Sequence, residues 1–409
     1  MQSNGNISAP SPLKMSYASL DAWRGFAALW VVLVHAALKP AVIQSAPDML
    51  GHPVYGFSVF GFLGVQLFFV ISGICVTNAA IDCLGRAGGS WRFLKARVRR
   101  IYPPYLMATV ATAAISLLAA WMLSRGYLRS SATAQMNPLG QSLKFYLATL
   151  TLTQLPLGQV PIVEVCWTLC YEIAFYGIVF IALLLCRLAG LGARQMLNGL
   201  HAVTIASLLA LIYKPQHGVF PLDMWPQFGL GVMAFDLLVH PREARPVAIG
   251  VIMAALALVL AALHNFGSTL DKVGTRGQFI TCVAFACALV LLHGRDQWLM
   301  SRRLVRSLAF VGIFSYSLYL THELAQGVVL QLFKRFAALD TGTFAYAFWV
   351  QVVLPIPCAF AFFWLFERPF LSRSSRRLRG AVAAPQEPAP IQIPAQEPVP
   401  VAAAATIAS

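Results

Sequence analysis

The sequence predicts an all-α, polytopic integral membrane protein of about ten transmembrane helices, with both termini cytoplasmic. Three observations predict it. The chain is 58% hydrophobic and only 11% charged, where a soluble protein carries about a quarter charged residues. Its apolar runs recur at near-even spacing along 409 residues and leave no room for a large soluble domain. Most Lys and Arg residues fall in connections on the side that holds both ends of a ten-span chain, the bias of cytoplasmic loops. Topology therefore accounts for the net charge of +15, and no nucleic-acid partner is expected.

Residues 1–18 are Ser-, Asn- and Pro-rich and read as a flexible leader. The first apolar run, 20–38, is too long for a signal-peptide core and has no small-residue cleavage site after it, so it reads as a permanent span. The second span is 57–79. A basic loop follows, with Arg86, Arg92, Lys95, Arg97, Arg99 and Arg100, and leads into a third span at 101–123 through Ile101-Tyr102-Pro103-Pro104-Tyr105. The prolines there are expected to fix the chain as it re-enters the membrane. In the long connection 124–163, the segment 145–155 is too short to span and reads as interfacial or re-entrant. The fourth span is 164–187, and spans five to eight are 199–213, 222–239, 246–264 and 276–293. The ninth is 308–333 and the tenth 344–367. The membrane domain thus runs over 19–371. Residues 372–409 form a basic stretch and then a Pro/Ala-rich tail expected to be disordered. The eight Cys residues mostly lie inside apolar runs without zinc-ligand spacing, so no metal site is expected and they read as small buried residues.

The first span organises the chemistry. Ten residues separate Arg24 from His35. Eleven helical steps come to about three turns, so the two side chains share a face roughly 16 Å apart. Left facing lipid, each would cost roughly 2.5–3.5 kcal/mol or more. A cation and an imidazole on that face therefore need protein, water or a ligand beside them, although Arg24 can also pair with Asp21 one turn earlier. Among the ionisable residues within later spans, Glu172, His322, Glu323 and Asp236 stand out. Glu172 and His322 reach the level of His35 and read as functional. Asp236, near an interface and a basic loop, reads as structural. Gly61, Gly64, Ser72 and Gly73 in the second span allow either close helix approach or space for a thin ligand. The Arg97–Arg100 stretch is suited either to lipid headgroups or to a polyphosphate, whose oxygens arginine binds bidentately.

Six segments then stand in register: the Arg24-x10-His35 helix, GFLGVQLFFVISG from Gly61, RVRRIYPPY from Arg97, WTLCYE from Trp167, SYSLYLTHE from Ser315 and FERP from Phe366. In order and spacing they resemble membrane-bound acyltransferase family 3, which includes bacterial polysaccharide O-acetyltransferases, over residues 17–371. The resemblance implies an integral-membrane enzyme that moves an acyl group, usually acetyl, from cytoplasmic acyl-CoA to a hydroxyl, most often on a sugar, and the expected location is the cell inner membrane. It places family functional positions on Arg24, His35, Arg97 and Arg100. Unlike many polysaccharide-modifying relatives, no soluble esterase-like domain follows the tenth span, which leaves room for a separate partner protein.

The chemistry of the residues agrees with this implication. Transfer to an alcohol needs a base for the hydroxyl proton, and imidazole serves near neutral pH. His35 is then the base or an acyl relay, oriented by Glu172, and His322 either binds the acceptor or assists His35. Arg24, Arg97 and Arg100 hold the donor phosphates, with Gly64, Ser72 and Tyr102 along the path of the pantetheine arm. Trp167 and Tyr171 offer rings to an acceptor sugar, or else belong to the interfacial aromatic belt. Two other readings stand beside this one: the same chemistry on a small molecule or lipid, and a non-enzymatic transporter of a lipid-linked sugar.

Overall fold

The computed structural model describes residues 17–37, 53–127, 137–213, 219–252, 270–336 and 341–371. Most of the expected leader, the second half of the seventh span and the C-terminal tail lie outside them. Every regular element among the described residues is helical. Six helices are long and apolar enough to cross a membrane: Leu20–Ala37, Pro53–Leu84, Gly89–Ser124, Glu164–Leu188, Gln278–Ser301 and Tyr346–Phe370. A bent pair, Arg303–Ile313 and Ser315–Phe333, makes a seventh if the two count as one span.

Helix α1 (Leu20–Ala37) is the centre of the bundle and packs on helices from both halves of the chain. Its first turn is satisfied from far along the chain. Ala18 N and Ser19 N donate to the Asp296 carboxylate at 2.7 and 2.9 Å, which also places negative charge at the positive end of the helix dipole. After α2 (Pro53–Val59) a 3-10 turn leads into α3 (Leu63–Leu84). The carbonyls of Cys83 and Leu84 at the end of α3 accept from Arg187 Nη1 at 3.4 and 2.7 Å. Arg187 lies in the last turn of α6 (Trp167–Leu188). The ends of α3 and α6 and the start of α1 thus meet the segments that the charge pattern assigns to the same side.

Helix α4 (Gly89–Ser124) corrects the sequence reading: the arginine-rich stretch is helix, and Pro103 and Pro104 sit inside it. The two prolines leave the carbonyls of Arg99 and Arg100 without their helical donors. The helix nonetheless continues, because Phe93, Ile101, Pro104, Tyr105 and Ala108 recur on one buried face. At 36 residues it is about 54 Å long, well beyond the roughly 30 Å of a hydrocarbon core. Its first turns therefore stand clear of the apolar zone and expose Arg92, Lys95 and Arg99. The segment expected to be interfacial contains the nine-residue α5 (Leu143–Thr151), capped by Ser142 Oγ, which accepts from Phe145 N at 3.2 Å. Tyr105 OH donates to Thr149 O at 2.7 Å and fixes α5 against α4.

Helices α7 (Ala193–Tyr213) and α8 (Trp225–Val239) pack together. Asp236 is fully buried between Arg194, His201 (2.8 Å) and His240 (3.2 Å), and its place is that of a polar joint between helices. Helix α9 covers 241–252, and α10 is Leu270–Leu292. After the short α11 (Asp296–Ser301), the expected ninth span is broken into α12 (Arg303–Ile313) and α13 (Ser315–Phe336), bent by 75°. No proline marks the break. Phe314 ends α12 with non-helical dihedrals, and Ser315 Oγ donates to the Gly312 carbonyl at 3.0 Å. The segment expected as the tenth span consists of α14 (Thr341–Val353) and α15 (Pro355–Phe362), followed by a π-helical turn at Phe363–Glu367.

Two glycine crossings set the closeness of this packing. A Cβ on Gly25 would strike the Leu308 carbonyl, and one on Gly312 the Asp21 carbonyl, so α1 and α12 touch backbone to backbone. Gly73 of α3 and Gly231 of α8 meet in the same way through the carbonyls of Phe228 and Val70. Without a hydrophobic drive between helices in lipid, such close dispersion contact carries much of the association. Gly73→Val is expected to destabilise the protein by at least about 1–3 kcal/mol, read as a lower melting temperature in detergent. Gly177→Val, with nothing within 4 Å of its Cβ position, should leave it unchanged. Equal melting temperatures for the two variants would overturn the crossing.

Candidate functional site

Helices α1, α3, α4, α6 and α13 enclose a cleft of about 770 Å³, measured with its open mouth. Arg24, Cys75, Arg97 and Arg100 line it, with Ser72, Glu172, Tyr176, Tyr316 and Tyr319 and the apolar Val65, Phe68 and Leu169. The α3 lining runs from Val76 to Val65, roughly 16 Å along the axis at 1.5 Å per residue. A second cavity of about 470 Å³, lined by Tyr17, Asp21 and Asn78, shares Arg24 and Cys75 with the cleft.

Arg24 is held rather than loose. Its Nη1 donates to Asp21 at 2.7 Å and its Nη2 to Cys75 Sγ at 3.2 Å. Glu172 accepts from Ser72 Oγ at 2.9 Å and from Tyr176 OH at 2.5 Å. The Arg97 guanidinium lies over the rings of Phe93 and Tyr176, at 5.7 and 5.9 Å. Its Nε is buried without a hydrogen-bond partner. Among the described residues neither Arg97 nor Arg100 has an ion-pair partner. Glu172 shares the cleft but makes no ion pair with either cation, its carboxylate being taken by Ser72 and Tyr176, so two unneutralised guanidinium groups there favour an anion.

His35 lies in a second cluster. His322 Nε2 is 3.3 Å from His35 Nδ1, and Glu323 Oε1 is 3.2 Å from His35 Nε2. His322 is fully buried, and its own Nδ1 lies 2.8 Å from the Tyr319 carbonyl and 3.1 Å from that of Leu318. Gln326 Nε2 donates to the Val32 carbonyl at 2.9 Å and sets the register of α13 against α1 beside them. One ligand atom from each of His35, His322 and Glu323 lies within 4.8 Å of the others. The contacts made, however, use opposite ring nitrogens of His35, which is the arrangement of a hydrogen-bonded chain. The clusters are linked through Tyr319, which lines the cleft one turn before His322. His35 itself does not line the cleft.

Several expected positions are corrected. Glu172 is not the carboxylate on His35; it belongs with Ser72 and Tyr176 in the cleft, and Glu323 takes that place. Gly64 opens no path for a ligand: its Cβ position meets the Ala27 carbonyl at 2.6 Å and Val31 Cγ2 at 2.9 Å. Tyr102 turns away from the cleft and donates to Thr151 O at 3.2 Å. Tyr171 is buried, donates to Asp223 at 2.7 Å and packs edge-on to Trp167, so its ring is no open platform for a sugar. Arg24, Arg97, Arg100 and Ser72 do face one cleft, and His35 and His322 do meet. Sequence reading missed Cys75, Tyr176, Tyr319 and the role of Glu323. Helical spacing of three or four residues from Ser72, Glu172 and His322, and adjacency to His322, were the available signals.

A family described as "Acyltransferase domain" matches residues 17–368. A protein of Komagataeibacter xylinus provisionally named membrane-bound transacylase BcsY is 28% identical over 342 residues, covering 80% of this chain and 78% of that one. No solved structure gives a match. The correction at Tyr171 carries its own test. Tyr171→Phe leaves the Asp223 carboxylate without its hydroxyl donor and should cost about 1.5–3 kcal/mol in thermal or denaturant unfolding. A sugar-binding Tyr171 would instead change acceptor affinity at unaltered stability.

Proposed function

The chain belongs to the membrane acyltransferases that carry this domain, and from that premise we propose that it transfers an acyl group, acetyl in the first instance, from cytoplasmic acyl-CoA to a hydroxyl of a cell-surface or exported glycan. The observation that carries this reading is the cleft. One end holds Arg24 and the unpaired Arg97 and Arg100; the other ends at Tyr319, one turn from His322 and its partner His35. Such a shape suits a donor that is polyanionic at one end, with a long thin arm and its reactive carbonyl at the other. The guanidinium groups bind the phosphates through charge-assisted bonds. The arm follows the α3 face formed by Cys75, Ser72, Phe68 and Val65.

In the transfer, the acceptor oxygen attacks the thioester carbon, a C–O bond forms and the C–S bond breaks. The hydroxyl proton passes to the His35 cluster and ends on the departing thiolate. Direct transfer is preferred, because Nδ1 of His35 is already engaged by the Val31 carbonyl at 2.9 Å and by His322. The inner membrane is the proposed location, and a separate protein that presents or receives the acceptor is a proposed partner.

The test is transfer of label from acetyl-CoA, supplied outside sealed proteoliposomes, to glycan on either side. His35→Ala is expected to lower kcat by about 10²–10⁴ while donor binding persists. Arg24→Ala or Arg97→Ala should weaken donor binding by about ten- to a hundredfold, the equivalent of roughly 1.5–3 kcal/mol for a hydrogen bond to a charged group. Label moving only to a lipid or small molecule would reassign the acceptor. No binding or turnover of acyl-CoA, with a lipid-linked sugar crossing the bilayer, would replace the enzyme by a transporter.

A further inference from the structure

The protons of the His35 cluster can be assigned from neighbours that only accept. His322 Nδ1 faces the carbonyls of Tyr319 and Leu318, so it bears a proton and the Nε2 of the neutral ring offers its lone pair. His35 Nδ1 faces that lone pair at 3.3 Å and the Val31 carbonyl at 2.9 Å. Both accept, so His35 Nδ1 is protonated too. If His322 were instead an imidazolium, it would force a bare His35 Nδ1 against the Val31 carbonyl, lone pair to lone pair. What remains is His35 Nε2, 3.2 Å from Glu323 Oε1. A bare nitrogen at this distance from an ionised carboxylate oxygen would set lone pair against lone pair. One proton must bridge them.

We propose that Glu323 is the proton partner of His35: Nδ1 is held protonated by Val31 and His322, and the Nε2–Glu323 pair holds and exchanges the proton of the reaction. At rest the pair carries one proton. As the acceptor oxygen bonds to the thioester carbon, the hydroxyl proton becomes the second. As the C–S bond breaks, one proton returns on the thiolate, and the pair is restored with no oxidant or cofactor consumed. This order is the reverse of a serine-hydrolase triad, in which the carboxylate sits on Nδ1 and Nε2 is open to the nucleophile. Here the carboxylate sits on Nε2, which makes its identity a condition of proton exchange rather than of ring orientation alone.

The catalytic meaning rests on the acyltransferase reading, but the proton assignment does not, so the test has two arms. In the first, histidine-¹⁵N-labelled protein in bilayers is compared with His35→Gln to identify the His35 signals. Wild type should show a protonated Nδ1 and an Nε2 that shares a proton. Glu323→Gln, whose amide donates to Nε2, should keep Nδ1 protonated and leave Nε2 bare. A bare Nδ1 in wild type, or an Nε2 signal unmoved by Glu323→Gln, overturns the proposal. In the second arm, Glu323→Gln should lower kcat by a hundredfold or more with donor KM within twofold, and Glu323→Asp should recover part of the loss. Wild-type kcat in Glu323→Gln overturns the proposal. If no variant and no wild type turns over acyl-CoA, the acyltransferase reading fails and the spectroscopic arm still decides the proton assignment.

Discussion

A polar group inside a bilayer must find its partner within the protein, and the structure depends on that constraint throughout. Helix α1 carries two groups that would be costly against lipid, and each is met by a different neighbour. Arg24 is held by Asp21 and by Cys75 of α3, and His35 by His322 and Glu323 of α13. The same logic places Asp236 among Arg194, His201 and His240, and Glu367 against Ser317 at 2.7 Å. In each case a polar contact ties one helix to another.

Close packing and open space are divided by helix face. On α3, Gly64 and Gly73 press against α1 and α8, while Val65, Phe68, Ser72, Cys75 and Val76 face the cleft. The glycines let backbones touch, so no room remains beside them. Space opens on the neighbouring face, where the long α4 brings Arg97 and Arg100 to one end. The bend between α12 and α13 serves the same arrangement. It lets α12 lie against the start of α1 through Gly312, while α13 runs on beside the end of α1 and delivers Tyr319, His322 and Glu323.

Much of this was legible in the sequence. The helical class, the apolar runs, the placing of Arg24 and His35 along one helix and the grouping of Arg97 and Arg100 follow from composition and a fixed 3.6-residue repeat. The break at Phe314 was not legible, because 308–333 reads as one apolar run without proline. Nor was the helical state of 89–102, because a dense run of arginines before two prolines carries the marks of a loop, and only burial of Phe93 and Ile101 against neighbours decides for helix.

The sequence by itself determined which side chains are available, how far along their own helix, and on which of its faces. Only the tertiary structure decided which of them meet: Glu323 rather than Glu172 on His35, Gly64 against Ala27 rather than a ligand, Tyr171 against Asp223 rather than an acceptor. The physical reason is that a helix fixes angles and rise between its own residues through local backbone bonds. Its rotation and tilt relative to a neighbour are set by side-chain fit and polar pairing across the interface, which no periodicity within one segment encodes.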